Sequence, residues 1–365
     1  MKEPLEETRI CCTPKEVKQL VTQLQHDVFI ETGYGEGLGI SNEAFEHAGA
    51  TLGTREEVLQ QARYILAINE LPAGDSMTNG STYIGIYTML FYPDRVTKYR
   101  NKEVNVYSLD LLPRTTLAQS MDVLSSMASL SGHKAVLKAA NYYKGCLPMF
   151  TTAAGTLTPA KVLVLGAGVA GLQAIATAKR LGAVVEAFDV RKSAAEEVKS
   201  LGAKFIEVEG FKEGENAGGY AVEQSEEYLA KQKKLIEERI ALSNIVISTA
   251  NIPGKKAPVL IEAKAVDAMS AGSVIIDLAA EQGGNCVKTV AGKTIQYQQV
   301  TIEGNSYLSR EMPKAASQLL ASNFFNFLNY LLHATKEDDP LIRGCQVISN
   351  GHLVHPQLVN KFELA

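Results

Sequence analysis

The chain has 365 residues, with 36 Lys and Arg against 40 Asp and Glu, a net charge of −4, and is 46% hydrophobic and 21% charged. This balance excludes a disordered chain, and no segment concentrates enough basic residues to suggest a nucleic-acid footprint. The length exceeds what one small core needs and predicts two domains.

The opening residues MKEPLEETRI are acidic and lack an apolar run, so no secretory signal is expected. Cys11 and Cys12 follow and are expected to fill a strand. With Cys146, Cys286 and Cys345 they form no CxxC and no even framework, which predicts reduced thiols. The six histidines are scattered without metal-ligand spacing. Thr13 before Pro14 marks a helix start in TPKEVKQLVTQL, and Thr54 with Glu57 supplies a capping box to TREEVLQQA. DVFIET, YILAINE and EVNVYSLDLL read as strands. This alternation predicts parallel strands covered by helices, without a dinucleotide motif.

The stretch PRTTLAQSMDVLSS comes next. Gln119 and Asp122 stand three apart, so they are expected to share a helix face, with Ser125 three further on. Arg114 precedes the first turn and is expected to fold back towards Asp122. An arginine does not deprotonate at neutral pH, so this group is no acid–base dyad. An amide can hydrogen-bond a carboxamide in both directions, so the group can position a ring.

The segment KVLVLGAGVAGLQAIATAKRLGAVVEAFDVR contains a GxGxxG in its full context: a strand before, a helix after, and an acid at the end of the next strand. Gly166 permits the tight turn, Gly168 leaves room for a pyrophosphate, and Gly171 lets the helix pack close to the strand. Val169 and Ala170 open the helix, whose N-terminus offers N–H groups and a positive dipole end to phosphates. Asp189, 18 residues after Gly171, is expected to accept hydrogen bonds from the adenosine ribose, beside Val190 and Arg191. A 2′-phosphate about 4 Å from Asp189 would cost roughly 4 kcal/mol per unit charge at an effective dielectric near 20, which favours NAD over NADP. Arg191 could neutralise such a phosphate, but it reads as a solvated side chain starting the next helix.

KFIEVE, IVISTA and GSVIIDLA are further predicted strands, so this half reads as a doubly wound sheet. Asp277, Glu281 and Asn285 lie near the carboxyl edge of that sheet, either beside a cofactor or as turn chemistry with Gly283 and Gly284. Tyr220 follows Gly218 and Gly219 in a polar stretch, a hinged loop or an ordinary surface loop. After residue 310 the pattern turns helical, and QLLASNFFNFLNYLL (318–332) reads as a buried amphipathic helix too short for a bilayer. The expected fold is α/β, two Rossmann-like domains with parallel sheets. The expected division is an N-terminal α/β domain of 1–125 plus 315–365 and an NAD(H)-binding Rossmann domain of 126–314.

Over nearly its whole length the chain resembles the soluble NAD(H)-binding component, the alpha subunit, of proton-translocating nicotinamide nucleotide transhydrogenases. The carriers are ETRICCTPKEV, LLPRTTLAQSMDVLSS, the glycine-motif segment, AGGYA, IPGKKAPVLI, GSVIIDLAAEQGGN and NGHLVHP. The RxxxxQxxD loop and GGYA are more specific than the glycine motif. The resemblance implies that Arg114, Gln119 and Asp122 hold the dihydronicotinamide ring of NADH near its carboxamide, with Ser125 as another contact. It implies that Tyr220 tips a mobile loop closing over bound nucleotide. Hydride would pass directly to NADP⁺, NADP(H) being held only on a partner subunit. The implied partners are a second copy in a homodimer, an NADP(H)-binding beta subunit and membrane-spanning proton-channel subunits. The implied location is cytoplasmic, peripheral on the cytoplasmic face of the inner membrane.

The fold resemblance extends to alanine dehydrogenase, which uses a lysine and a histidine in its first domain. The corresponding stretches, LAINELP and YTMLFYP, carry neither, although Arg9 matches a substrate-binding arginine there. A non-catalytic NAD-sensing module would need the glycine motif but not RxxxxQxxD. The transhydrogenase family opens with an apolar strand not found before MKEPLEETRI, so either the start is misassigned or the first sheet loses an edge strand. GNSYLSREMPKAAS also departs from the family pattern.

Overall fold

The computed structural model describes all residues except 1, 5, 71–76, 209–225, 252–254, 335–338 and 364–365. The chain divides into two compact units, 1–127 with 312–365, and 128–311.

The first unit begins with α1 (Pro14–Thr22), β1 (Val28–Glu31), α2 (Asn42–His47), β2 (Ala50–Gly53) and α3 (Arg55–Gln61). The Thr54 hydroxyl accepts from Glu57 N–H while the Glu57 carboxylate accepts from Thr54 N–H, the reciprocal cap expected of that spacing. β1 and β2 pair in parallel as a sheet of their own. β3 (Tyr64–Leu66), β4 (Thr82–Gly85) and β5 (Asn105–Ser108) form a second parallel set. Cys11 and Cys12 are buried but lie in no strand, contrary to expectation. The reason lies in the backbone: Ile10 N–H donates to Ser317 Oγ at 2.9 Å and Cys11 N–H to Tyr34 Oη at 3.0 Å, so side chains replace a neighbouring strand.

α4 (Val123–Tyr142) leads into the second unit. There follow an exposed hairpin of β6 (Phe150–Thr152) and β7 (Gly155–Leu157), then β8 (Lys161–Leu165), α5 (Val169–Arg180), β9 (Val184–Phe188), α6 (Ala194–Ser200) and β10 (Lys204–Phe205). KFIEVE thus yields a strand of two residues only, with Ile206 N–H still bonded to Ala187. α7 (Glu226–Ala241), β11 (Ile245–Ser248), α8 (Ala263–Asp267), β12 (Val274–Asp277), β13 (Thr294–Tyr297) and β14 (Val300–Glu303) complete it. The strand order is β10-β9-β8-β11-β12-β14-β13, parallel except for β13. Successive side chains alternate between two cores: Val162 and Val164 pack with Ala174, Ile175 and Ala139, while Leu163 and Leu165 pack with Ile236, Ile240 and Ala265. A parallel sheet covered on both faces explains why KVLVL, IVIS and VIID are continuously apolar rather than alternating.

The chain then returns to the first unit through α9 (Pro313–His333), α10 (Pro340–Cys345), β15 (Gln346–Ser349), β16 (His352–Leu353) and α11 (Pro356–Glu363). α9 buries Leu320, Phe324, Phe327 and Leu328 among first-unit residues, including Phe45, Tyr107 and Val123. β15 lies antiparallel beside β5, giving the order β16-β15-β5-β4-β3. This five-stranded sheet is therefore parallel through β3, β4 and β5, with β15 and β16 antiparallel at one edge.

Candidate functional site

In the second unit the strand order reverses between β8, which leads outward to β9 and β10, and β11, which leads the other way. Crevices at such reversals are where open α/β sheets bind ligands. The loop after β8 begins with Gly166 at φ +99°, and a Cβ there would meet Thr249 Oγ1, beyond β11, at 2.7 Å. Thr249 Oγ1 in turn donates to the Gly166 carbonyl at 3.0 Å, fastening the loop to the neighbouring strand end. A Cβ on Gly171 would stand 1.8 Å from the Gly166 oxygen, so α5 can start here only with glycine. Gly168 differs: it is the N-cap of α5, at φ −76°, and a Cβ there would meet nothing within 4 Å. Its lack of a side chain answers no need of the protein itself. The amides of Val169 and Ala170 lie in the first turn of α5, where no intrahelical acceptor exists. A further glycine not singled out from the sequence is Gly132 on α4, where a Cβ would meet the Ala170 oxygen at 2.0 Å.

Asp189 follows β9 and faces this loop. Its Oδ2 accepts from Ala167 N–H at 2.7 Å, and its Oδ1 from Arg191 N–H at 2.8 Å. The Arg191 guanidinium forks onto both oxygens at 3.0 and 3.1 Å and reaches the Ala167 carbonyl at 3.3 Å. Arg191 is thus an ion-pair partner of Asp189, not the solvated side chain expected, because two residues of spacing return its fork to the carboxylate. Val190 between them is exposed.

Asp277 and Asn285 resolve towards turn chemistry. Asp277, fully buried at the end of β12, accepts from the backbone N–H groups of Ala279, Asn285 and Cys286 and from the hydroxyls of Thr289 and Ser248. The Asn285 amide donates to the Ala250 and Pro258 carbonyls at 2.8 Å each and accepts from Ala250 N–H. Both side chains hold loops at the carboxyl edge of the sheet. Tyr220 lies outside the described residues.

In the first unit, Arg114, Thr115, Gln119, Asp122 and Ser125 line a pocket of about 440 Å³. Gln119–Met121 is a 3-10 turn, and Asp122 closes it just before α4 begins at Val123. Gln119 and Asp122 therefore do not share a helix face. Asp122 caps α4: its Oδ1 accepts from Ser125 N–H at 2.9 Å and its Oδ2 from Ser125 Oγ at 2.7 Å. The expected fold-back of Arg114 onto Asp122 does not occur; Arg114 is exposed and forms no ion pair among the described residues. The Gln119 amide is likewise exposed, with no hydrogen bond to a described residue. The pocket thus holds one ungripped cation and one ungripped amide beside a carboxylate occupied by Ser125. No histidine, lysine or cysteine lines it. Arg9 is buried, and its Nε and Nη2 bond the Glu7 carboxylate at 2.7 and 2.6 Å, a structural pairing. Among the described residues no cluster could hold a metal ion, and no helix is long and apolar enough to cross a membrane.

The alanine dehydrogenase/PNT N-terminal domain model matches residues 1–131, and the corresponding C-terminal domain model matches residues 135–356. The chain belongs to the alanine dehydrogenase/PNT family. Within the family it is 41% identical to the first of the NAD(P) transhydrogenase subunit alpha polypeptides of Rhodospirillum rubrum, covering 97% of this chain and 96% of that one. It is 40% identical to the NAD(P) transhydrogenase subunit alpha of Haemophilus influenzae, covering 96% of this chain and 70% of that one. Alanine dehydrogenase of Bacillus subtilis is 26% identical over 96% of this chain and 90% of its own length. A transhydrogenase structure from Sinorhizobium meliloti superposes with a TM-score of 0.85 at 38% identity, covering 98% of each chain. An L-alanine dehydrogenase superposes with a TM-score of 0.83 at 23% identity over 100% of this chain and 98% of its own, which shows a shared fold. This family member thus stands nearer in sequence to the transhydrogenase alpha subunits than to the alanine dehydrogenases.

Proposed function

We propose that this chain is the NAD(H)-binding alpha subunit of a proton-translocating NAD(P) transhydrogenase. It passes a hydride directly from NADH to NADP⁺ held on a separate beta subunit. One observation carries the reading: the first-unit pocket offers positioning groups and no proton carrier. Hydride transfer needs none, because C4 of NADH gives up a hydrogen nucleus with both bonding electrons, C4 of NADP⁺ receives them, and NAD⁺ and NADPH result. The protein's contribution is to place the donor carbon near contact distance of the acceptor.

In this reading the Gln119 amide meets the nicotinamide carboxamide, Arg114 adds donors beside it, and Ser125 and Asp122 complete the polar wall. The second-unit loop takes the pyrophosphate over Gly168 at the amides of Val169 and Ala170, and Asp189 takes the adenosine ribose. The open space above Gly168 supports this assignment. The first unit thus acts as the nicotinamide-positioning α/β domain and the second as the NAD(H)-binding domain.

The chain works as a homodimer, and the hairpin β6–β7 is its proposed contact. Met149 at 64%, Phe150 at 49% and Leu157 at 56% exposure present apolar surface there, whereas the apolar face of α9 is already spent in the first unit. The complex it joins sits at the cytoplasmic face of the inner membrane through membrane-spanning partners.

The test is hydride exchange after mixing the chain with an NADP-binding partner subunit. Gln119→Ala is expected to slow exchange on the order of a hundredfold at near-normal NADH affinity. An unchanged rate would remove the pocket from the mechanism.

A further inference from the structure

The apolar helix α9 carries asparagines at 323, 326 and 329, and two of them converge on one atom. The Asn323 Nδ2 donates to the Ser120 carbonyl oxygen at 2.9 Å, and the Asn326 Nδ2 donates to the same oxygen at 3.0 Å. Standing three apart, they share one face of the helix. Ser120 is the middle residue of the turn between Gln119 and Asp122.

That turn is weakly held by its own backbone. Gln119 N–H to Thr116 O and Asp122 N–H to Gln119 O both span 3.4 Å, beyond the usual range, and only Met121 N–H to Ala118 O is short at 2.9 Å. The asparagines supply what the turn lacks. Asn323 is 5% exposed, between apolar neighbours such as Phe324 and Phe327. Its Oδ1 is buried without a hydrogen bond among the described residues. A buried unpaired acceptor is unfavourable and uncommon. A leucine of similar size would avoid it and would suit the surrounding core. What asparagine adds over leucine here is the donor to Ser120.

We infer that Asn323 and Asn326 are positioning residues: by gripping the Ser120 carbonyl together, they fix where the Gln119 amide and the Asp122–Ser125 pair stand for the nicotinamide. The inference rests on the reading of the pocket given above. It carries its own signature. Two donors share one acceptor, so losing either leaves the carbonyl bonded and losing both leaves it free. The two losses are therefore coupled rather than additive.

The experiment uses the full chain with an NADP-binding partner subunit and compares Asn323→Leu, Asn326→Leu, the double variant and Gln119→Ala. Single-turnover hydride transfer, NADH affinity by nicotinamide fluorescence, and the thermal midpoint are read for each. Each single change is expected to slow transfer less than about 3-fold, and the double change about 30-fold or more, with NADH affinity within about 3-fold of wild type. Asn326→Gln in the Asn323→Leu background keeps one donor and is expected to restore most of the rate. Should the double leucine variant fail to fold, Asn323→Ala with Asn326→Ala removes both donors without adding bulk and is expected to slow transfer about 10-fold or more. Additive losses, or a full-speed doubly substituted variant beside an impaired Gln119→Ala, would overturn the clamp. A full-speed Gln119→Ala would overturn the pocket reading, and the clamp with it.

Discussion

Two glycines three residues apart should respond to the same methyl group in opposite ways. In Gly171→Ala the new Cβ would stand 1.8 Å from the Gly166 oxygen, where real Cβ atoms stay beyond 3.0 Å. The loop or α5 must yield by roughly 1 Å, and close-packed interiors resist that. The cost expected of such overpacking is about 1–3 kcal/mol. For a unit of this size that is a fall of about 2–12 °C in thermal midpoint. In Gly168→Ala the Cβ enters open space at φ −76°, a conformation any L-residue adopts. Alanine is the poorer N-cap but loses less chain entropy on folding, and the two effects roughly cancel within about 0.5 kcal/mol.

Affinity separates the pair further. The methyl of Gly168→Ala occupies the place assigned to the pyrophosphate, so NADH affinity is expected to fall about 10- to 100-fold at unchanged stability. Gly171→Ala is expected to lose both, since the same displaced loop carries the Val169 and Ala170 amides. Calorimetric titration with NADH, beside thermal unfolding of each variant, checks this. Wild-type affinity in Gly168→Ala would refute the placement of phosphate over this loop, and wild-type stability in Gly171→Ala would refute the packing argument.

Arg191→Ala leaves the Asp189 carboxylate without its counter-ion; Arg191 is 39% exposed, so the discrimination against a 2′-phosphate is expected to rise by only about 1 kcal/mol, or about fivefold, in the NADH to NADPH affinity ratio. Asp277→Asn turns an acceptor of five hydrogen bonds into one that also presents donors to donors, and a loss of about 3 kcal/mol or more should appear as a midpoint at least about 6 °C lower. Burial in the first unit pushes the His355 imidazole below its ordinary 6.5, against the pull of the Gly344 backbone and Asp110. The unfolded chain then binds the proton first, so the stability contributed by neutral His355 is present above about pH 6.5 and lost as pH falls below it. Glu3 and Asp110, raised by burial, act in the opposite sense, so the comparison of wild type with His355→Gln isolates the effect. The variant should show a shallower loss of stability between about pH 7 and 5.5 by denaturant unfolding, and an unchanged slope would refute the assignment.

Local chemistry in this chain is legible from sequence, and non-local chemistry is not. The Thr54–Glu57 cap needs only four consecutive residues and forms as its spacing dictates. The strands before and after the glycine motif announce themselves because burial on both faces leaves continuous apolar runs. β15 gives no such warning: Gln346–Ser349 becomes a strand only because β5, more than two hundred residues earlier, offers it an edge. Cys11 and Cys12 carry the apolar character of a strand, yet the backbone donors around them go to Tyr34 and a serine on α9. Gln119 and Asp122 have helical spacing, but Asp122 is a better cap than a helix interior residue, and it starts a new helix instead of continuing one. The asparagines of α9 are visible as polar interruptions of an apolar face; the carbonyl they answer to is two hundred positions away.

Asp122 shows why geometry, more than composition, decides what such a pocket can do. A carboxylate in a cleft is ordinarily the first candidate for a general base. Here each oxygen accepts from Ser125, Oδ1 from its N–H and Oδ2 from its hydroxyl, so the carboxylate is spent on capping α4. Those two bonds fix the carboxylate's orientation, and turning it towards a substrate would uncap the helix. The same two bonds orient the Ser125 hydroxyl, whose proton is committed to Asp122, so its remaining lone pairs face outward as acceptors. What the pocket can offer a ligand is then a donor–acceptor amide from Gln119, donors from Arg114 and an acceptor from Ser125. That set complements a planar carboxamide and can move no proton, which suits a site whose reaction transfers hydrogen only with its electrons.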